Sequence, residues 1–156
     1  MITGLFETHI DVENLERSIA FYKDVMGLTQ CYTDEARRIA FFWVGAAQQA
    51  MLGIWEKPKD KLCPRHFAFS CSVNDILYKA EGHLRSQNLK PYNFLKSDDA
   101  APMVFAWMPA LAIYFNDPDG NALEYIAILP GEARPELGVI SYEDWIKYNN
   151  NDYHCQ

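Results

Sequence analysis

Twice in this chain a histidine heads an extended strand that runs straight into an amphipathic helix, first at His9-Ile-Asp-Val and again at His66-Phe-Ala-Phe. An echo of this kind, repeated with the elements in a fixed order, points to two similar modules that bury matching apolar faces. Gly4 to Val12 alternates as a strand does, with Thr8, Ile10 and Val12 on one side and Glu7, His9 and Asp11 on the other. Asn14 is placed to cap a helix whose apolar residues Leu15, Ile19, Tyr22 and Met26 recur at three and four until Gly27 ends it. Leu28 to Thr33, Arg38 to Val44 and Ala50 to Glu56 read as three further strands and complete a βαβββ unit.

The polar, proline-bounded stretch from Lys57 to Pro64 reads as the connection between modules. Beyond it, His66 to Val73 is expected as a strand, and Asn74 as the cap of a helix through Ile76, Leu77, Ala80 and Leu84. Strands are expected near Tyr92 to Lys96, Leu111 to Phe115 and Ala122 to Ile128. Short loops make the last three strands of each unit antiparallel. The expected class is therefore α+β, two βαβββ modules whose curled mixed sheets surround a shared cavity. One domain is expected over residues 1–130, with modules at about 4–56 and 65–129. Residues 131–156 read as a C-terminal extension, loop-like up to Ile140, with a short helix starting at Ser141, whose hydroxyl and Asp144 form a capping pair.

Strand parity selects the candidate site. His66 shares its face with the small residues Ala68 and Ser70, which leaves room for a ligand. The turn Asp117-Pro118-Asp119-Gly120 has proline where φ near −65° is wanted and glycine where φ must be positive, so it fixes the register of Glu124 on the strand that follows. Glu124 lies in the apolar run Ala-Leu-Glu-Tyr-Ile-Ala-Ile, where an unpartnered carboxylate costs several kcal/mol, so a cation is expected opposite it. Two imidazoles and one carboxylate, His9, His66 and Glu124, suit a catalytic divalent metal with positions open to water and substrate. Overlaying Ala122-Leu-Glu-Tyr on Met51-Leu-Gly-Ile puts Gly53 in the place of Glu124 in the first module. Glu56 has ligand chemistry but the opposite parity, and reaches a metal only through a bulge. Trp43, Trp55, Phe105 and Trp107 are candidates for an aromatic pocket, with core packing as the alternative.

Composition narrows the partners. With 156 residues, 49% hydrophobic and 22% charged, the chain is of globular type and single-domain size. A net charge of −7 argues against nucleic acid and anionic membrane, which require a basic face. Cys31, Cys63, Cys71 and Cys155 include no CxxC pair, and the N-terminus has no signal-peptide pattern, so a reduced cytoplasmic location is expected.

The segments Ser18-Ile-Ala-Phe-Tyr-Lys-Asp-Val-Met-Gly-Leu28, His66-Phe-Ala-Phe and Tyr114-Phe-Asn-Asp-Pro-Asp-Gly-Asn-Ala-Leu-Glu124 resemble the vicinal oxygen chelate superfamily over about Leu5 to Leu129. That superfamily includes glyoxalase I, fosfomycin-resistance thiol transferases, bleomycin-resistance proteins and extradiol dioxygenases. The resemblance implies metal ligation by His9, His66 and Glu124, and such mixed imidazole and carboxylate ligation suits Mn, Zn, Fe or Ni as the ion. Glyoxalase I adds a glutamate where Gly53 stands, so the three-ligand pattern looks closer to the fosfomycin-resistance enzymes. Tyr114 then matches a substrate-site tyrosine, and Arg134 falls where those enzymes place a C-terminal arginine. Asp11 and the acidic loop Ser97-Asp98-Asp99 depart from them. His83 reads as mid-helix and His154 as part of the tail, neither near the site.

The resulting expectation is a small metalloenzyme of lyase, isomerase or thiol-transferase type acting on a small oxygen-bearing molecule. Asp11 and Tyr114 would handle protons, and Trp55, Ser70 and Arg134 would bind substrate. The resemblance also implies a homodimer with modules exchanged, His9 of one copy completing the site of the other. The competing expectation is a metal-free protein of bleomycin-resistance type that sequesters a cationic or aromatic drug.

Overall fold

The computed structural model describes residues 1–97 and 99–152, apart from the side chains of Asn150, Asn151 and Asp152. Asp98, His154 and Cys155 lie outside the described residues. The chain divides into two compact units, residues 1–65 with 117–121, and residues 66–116 with 122–156.

In the first unit, β1 (Glu7–Val12) leads into α1 (Leu15–Ala20), which continues as a π-helical turn over Phe21–Val25. Asn14 caps α1, its side chain accepting from the Arg17 N–H at 2.8 Å, and Gly27 leaves the helix with φ +69°. β2 (Thr29–Asp34), β3 (Ile39–Val44) and β4 (Ala50–Glu56) complete a sheet in the order β1-β4-β3-β2, with β1 parallel to β4 and the other pairs antiparallel. Register aligns Ile10, Ile54 and Ala40 across the sheet, all buried against the helix side with Leu15 and Tyr22. The opposite face carries Glu7, His9 and Asp11 beside Met51, Gly53 and Trp55, as alternation predicts.

The hairpin turn 117–121 is bonded into this first unit. The Tyr22 hydroxyl donates to Asp117 at 2.7 Å, and Asp119 accepts from the Glu13 N–H at 3.0 Å, from the Ser18 hydroxyl at 3.1 Å and from Arg17.

In the second unit, β5 (His66–Ser70) is followed by α2 (Val73–Asp75), a π-helical turn over Ile76–Ala80 and α3 (Glu81–Ser86). β6 (Met103–Phe105), β7 (Ala110–Asn116), β8 (Ala122–Ile128) and β9 (Val139–Ser141) build a five-stranded sheet in the order β5-β8-β7-β6-β9. Helix α4 (Tyr142–Asp152) starts at Ser141, whose hydroxyl accepts from the Asp144 N–H at 3.0 Å, and it buries Trp145.

The two open mixed sheets and the βαβββ order agree with the α+β expectation, and local details differ. Ser72, not Asn74, caps the second helix, because Ser72 and Asp75 form a reciprocal pair and end β5 early. Tyr92 to Lys96 is not a strand. Tyr92 makes one bridge to Tyr114, after which the Asn93 side chain bonds to Ser97 and to the Asp99 carbonyl and curls the loop. β6 and β9 escaped the sequence reading because three-residue strands are too short to show alternation. β9 also adds the extension to the second sheet, since it pairs with β6.

Candidate metal centre and its surroundings

On the open face of the second sheet, β8 sets Glu124 opposite Tyr114 of β7 and beside Ala68 of β5. Glu124 is only 4% exposed. Its Oε2 lies 3.1 Å from His66 Nε2, while its buried Oε1 has no hydrogen-bond partner. The other ring nitrogen of His66, Nδ1, is 3.0 Å from the Ala122 carbonyl. A carbonyl only accepts, so Nδ1 carries a proton; in the neutral ring Nε2 then turns its lone pair toward the carboxylate, and in the imidazolium it donates to it. Two acceptors in such contact require a shared proton or a cation between them. Adjacent ligands of one ion, each about 2.1 Å from it, stand roughly 3.0–3.4 Å apart, and the observed separation falls in that range. An orphaned buried carboxylate oxygen, an imidazole nitrogen turned to the same point and a carbonyl that accepts from the far ring nitrogen together fit a divalent metal.

Burial pushes the Glu124 carboxyl above the usual carboxylate range, and His66 and the Tyr114 hydroxyl pull it partly back. Burial and the charge of Glu124 hold the Tyr114 phenol well above its ordinary value, which keeps its hydroxyl protonated and able to donate a hydrogen bond. Tyr92 stacks on Tyr114 with centroids 5.6 Å apart, and His66 lies 5.8 Å from the Tyr114 ring. A cavity of about 330 Å³ beside Glu124 is walled by Phe94, Phe105, Trp107 and Val139. Phe105 and Trp107 are thus pocket residues. Phe94 and Val139 were missed, since one lies in a curled loop and the other in a strand too short to recognise.

On the first sheet, His9 Nδ1 accepts from the Trp55 indole N–H at 3.2 Å, and its Nε2 is 3.6 Å from Glu7. A Cβ on Gly53 would meet His9 Cδ2 at 2.8 Å and Phe41 Cε1 at 2.9 Å, so glycine is what lets the imidazole lie across β4. The register departs from the sequence overlay. Gly53 pairs with His9 itself, whereas Glu124 pairs with Ala68, two residues beyond His66. Trp55 pairs with Asp11 and lies under Arg37, 5.2 Å from its ring centroid. Glu56 is fully engaged, accepting from the Leu15 N–H at 2.8 Å and from Arg38 at 2.7 and 3.0 Å, and Arg38 holds its carboxyl below the usual range.

Ser70 ends β5, exposed and paired with Ile126. Arg134 donates its backbone N–H to the Ala106 carbonyl at 2.7 Å and leads the turn Pro135–Leu137. Neither lines the cavity beside Glu124. Among the described residues, no group of three or more His, Cys, Asp and Glu side chains is placed to hold a metal ion, and no helix is long and apolar enough to cross a membrane.

The sequence model of the Glyoxalase/Bleomycin resistance protein/Dioxygenase superfamily matches residues 4–125, and the chain belongs to that superfamily. Among solved structures it is similar to an integron cassette protein from the mobile metagenome of the Halifax Harbour sewage outfall, at 31% identity and TM-score 0.70, over 81% of this chain and 100% of that one. It is also similar in fold to a lactoylglutathione lyase from Agrobacterium tumefaciens (18% identity, TM-score 0.62, 81% and 94% covered). A genomically encoded fosfomycin resistance protein from Listeria monocytogenes shares the fold too (20% identity, TM-score 0.62, 83% and 96% covered). No curated protein matches significantly.

Proposed function

We propose that the chain is a metal-dependent enzyme of this superfamily acting on a small oxygen-bearing molecule, with His66, Glu124 and His9 as ligands of one divalent ion. The observation that carries this reading is the His66–Glu124 contact, in which a buried carboxylate with one orphaned oxygen meets an imidazole lone pair at 3.1 Å. Support comes from the Listeria fosfomycin resistance protein, whose crystal structure in complex with Mn(II) and sulfate has the same fold at 19% identity. When bound, the ion supplies Lewis acidity to a substrate oxygen. The Tyr114 hydroxyl donates a hydrogen bond there, the Ala122 carbonyl keeps His66 in its ligating tautomer, and the aromatic wall excludes water. His9 would hold the ion through Nε2, giving up its bond to Trp55, and would come from a second copy in a homodimer. Asp11 is the remaining candidate for proton transfer.

Elemental analysis of freshly purified protein tests the reading. About one transition-metal ion per chain is expected, retained in wild type and lost in His66→Ala and Glu124→Ala. A chain without metal that still captures cationic drugs and quenches its tryptophans belongs instead to the sequestering type. Methylglyoxal hemithioacetal, thiol with epoxide, and catechols divide the reaction classes.

A further inference from the structure

Three cavities of the second unit adjoin one another. The first, of about 530 Å³, is lined by Arg85, Lys90, Lys96, Ser97 and Asn116, with Tyr92 and Ala122 at its inner end. The second shares Tyr92, Lys96 and Ala122 with the first and adds His66 and Tyr114. The third shares His66, Phe94 and Tyr114 with the second and ends in the apolar wall of Phe105, Trp107, Met108 and Val139. They form one trough, cationic at one end and apolar at the other, with the His66–Glu124 pair between.

The cationic end stands out in a chain with 14 basic and 21 acidic residues. Among the described residues lining it none is acidic. Lys90 and Lys96 enter no ion pair among the described residues, although lysines elsewhere in the chain do. Lys96 is held at φ +54°, a left-handed conformation that costs a non-glycine residue energy, and the Asn93-centred loop keeps it there. Arg85 is already paired with Glu81 at 2.8 Å, whereas the ammonium groups of Lys90 and Lys96 share one cavity with no counter-charge among the described residues, repel one another and draw in an anion. The apolar end is equally unspent, since Phe94 and Trp107 are each about half exposed although they line a pocket.

We propose that the trough binds an amphipathic organic anion, its carboxylate or phosphoryl group held by Lys90 and Lys96 and its apolar body lying against Phe94 and Trp107. The oxygen to be activated then falls at His66 and Glu124. That last placement rests on the metal reading above, whereas the two ends of the trough do not. A compact polar substrate with no apolar body leaves half the trough unused.

The test is calorimetric titration of chelator-treated protein with 4-phenylbutyrate, 3-phenylpropylphosphonate and the neutral 4-phenylbutyramide. Both anions are expected to bind at least tenfold more tightly than the amide at low ionic strength, with the margin shrinking as salt is added. The double variant Lys90→Gln, Lys96→Asn should bring the anions to the level of the amide; asparagine is used because it tolerates positive φ. Trp107→Ala should weaken all three probes by a similar factor. A stronger phosphonate identifies a phosphoryl ligand, a stronger carboxylate an organic acid. Equal binding of anion and amide, no binding of any probe, or a preference that survives the double variant overturns the proposal. Metal content, measured on the same preparations, decides the metal reading separately, so one can fail without the other.

Discussion

Glu124 is held where a carboxylate is least stable, buried beneath Tyr114 with one oxygen unbonded and the other facing a lone pair. Such an arrangement costs the fold stability, which a proton shared with His66 or a bound cation restores. Glu124→Gln should therefore stabilise the metal-free protein at pH 7 by about 1–2 kcal/mol in urea unfolding, because an amide N–H can donate to His66 Nε2. The same variant should lose the metal; a stability loss instead would show that the carboxylate is satisfied without one. Gly53 is a second residue set by a neighbour. Gly53→Ala should cost about 1–3 kcal/mol and displace the His9 ring, read as a chemical-shift change of that imidazole. In the proposed centre, Trp55 would compete with the metal for the tautomer of His9. Trp55→Phe removes that bond, worth about 1 kcal/mol, and should tighten metal binding about fivefold in a competition titration.

At the scale of elements, two devices tie helix α1 in place. Glu56, on the helix side of β4, accepts from the Leu15 N–H at the start of α1 and from Arg38 of the preceding hairpin. Its folded carboxyl titrates below the ordinary value, so its stabilising contribution is complete above the unfolded carboxylate range and is lost as pH falls through the folded value. The stability gap between wild type and Glu56→Gln should accordingly be open at pH 7 and close toward pH 3; a gap independent of pH would mean the ion pair contributes nothing. The turn 117–121 is the other device. Asp119, whose side chain is only 1% exposed, satisfies a backbone N–H, a serine hydroxyl and a guanidinium of the first unit. Asp119→Ala should cost about 2–3 kcal/mol, far more than a hairpin turn with a solvated tip would.

For the whole molecule, the consequence of the proposed exchange is complementation. Mixed from denaturant, His9→Ala and His66→Ala chains should form hybrid dimers that regain metal at one of their two sites, whereas neither variant alone binds it. Absence of any recovery would place all three ligands on one chain.

The alternation of β1, the spacing in α1, the Asp-Pro-Asp-Gly turn and the isolated carboxylate in β8 were all legible, because each is a local pattern with a local physical cause. So were the repeat of modules and the resemblance that led to the superfamily. The shift of register that sets Gly53 beside His9, the cap at Ser72, and the edge strands β6 and β9 were not. Each depends on which segment pairs with which, and hydrogen bonding across a sheet leaves little trace in three residues of sequence. The trough belongs to this second group. Lys90 and Lys96 read as ordinary surface charges in the sequence, and only the folded chain brings them to one cavity, which adjoins the cavity lined by His66. The sequence by itself determined the candidate donors and the order of the elements, since those follow from side-chain chemistry and periodicity. The tertiary structure alone decided which donor atoms face one another and what surrounds them, since burial and register are properties of the packed chain.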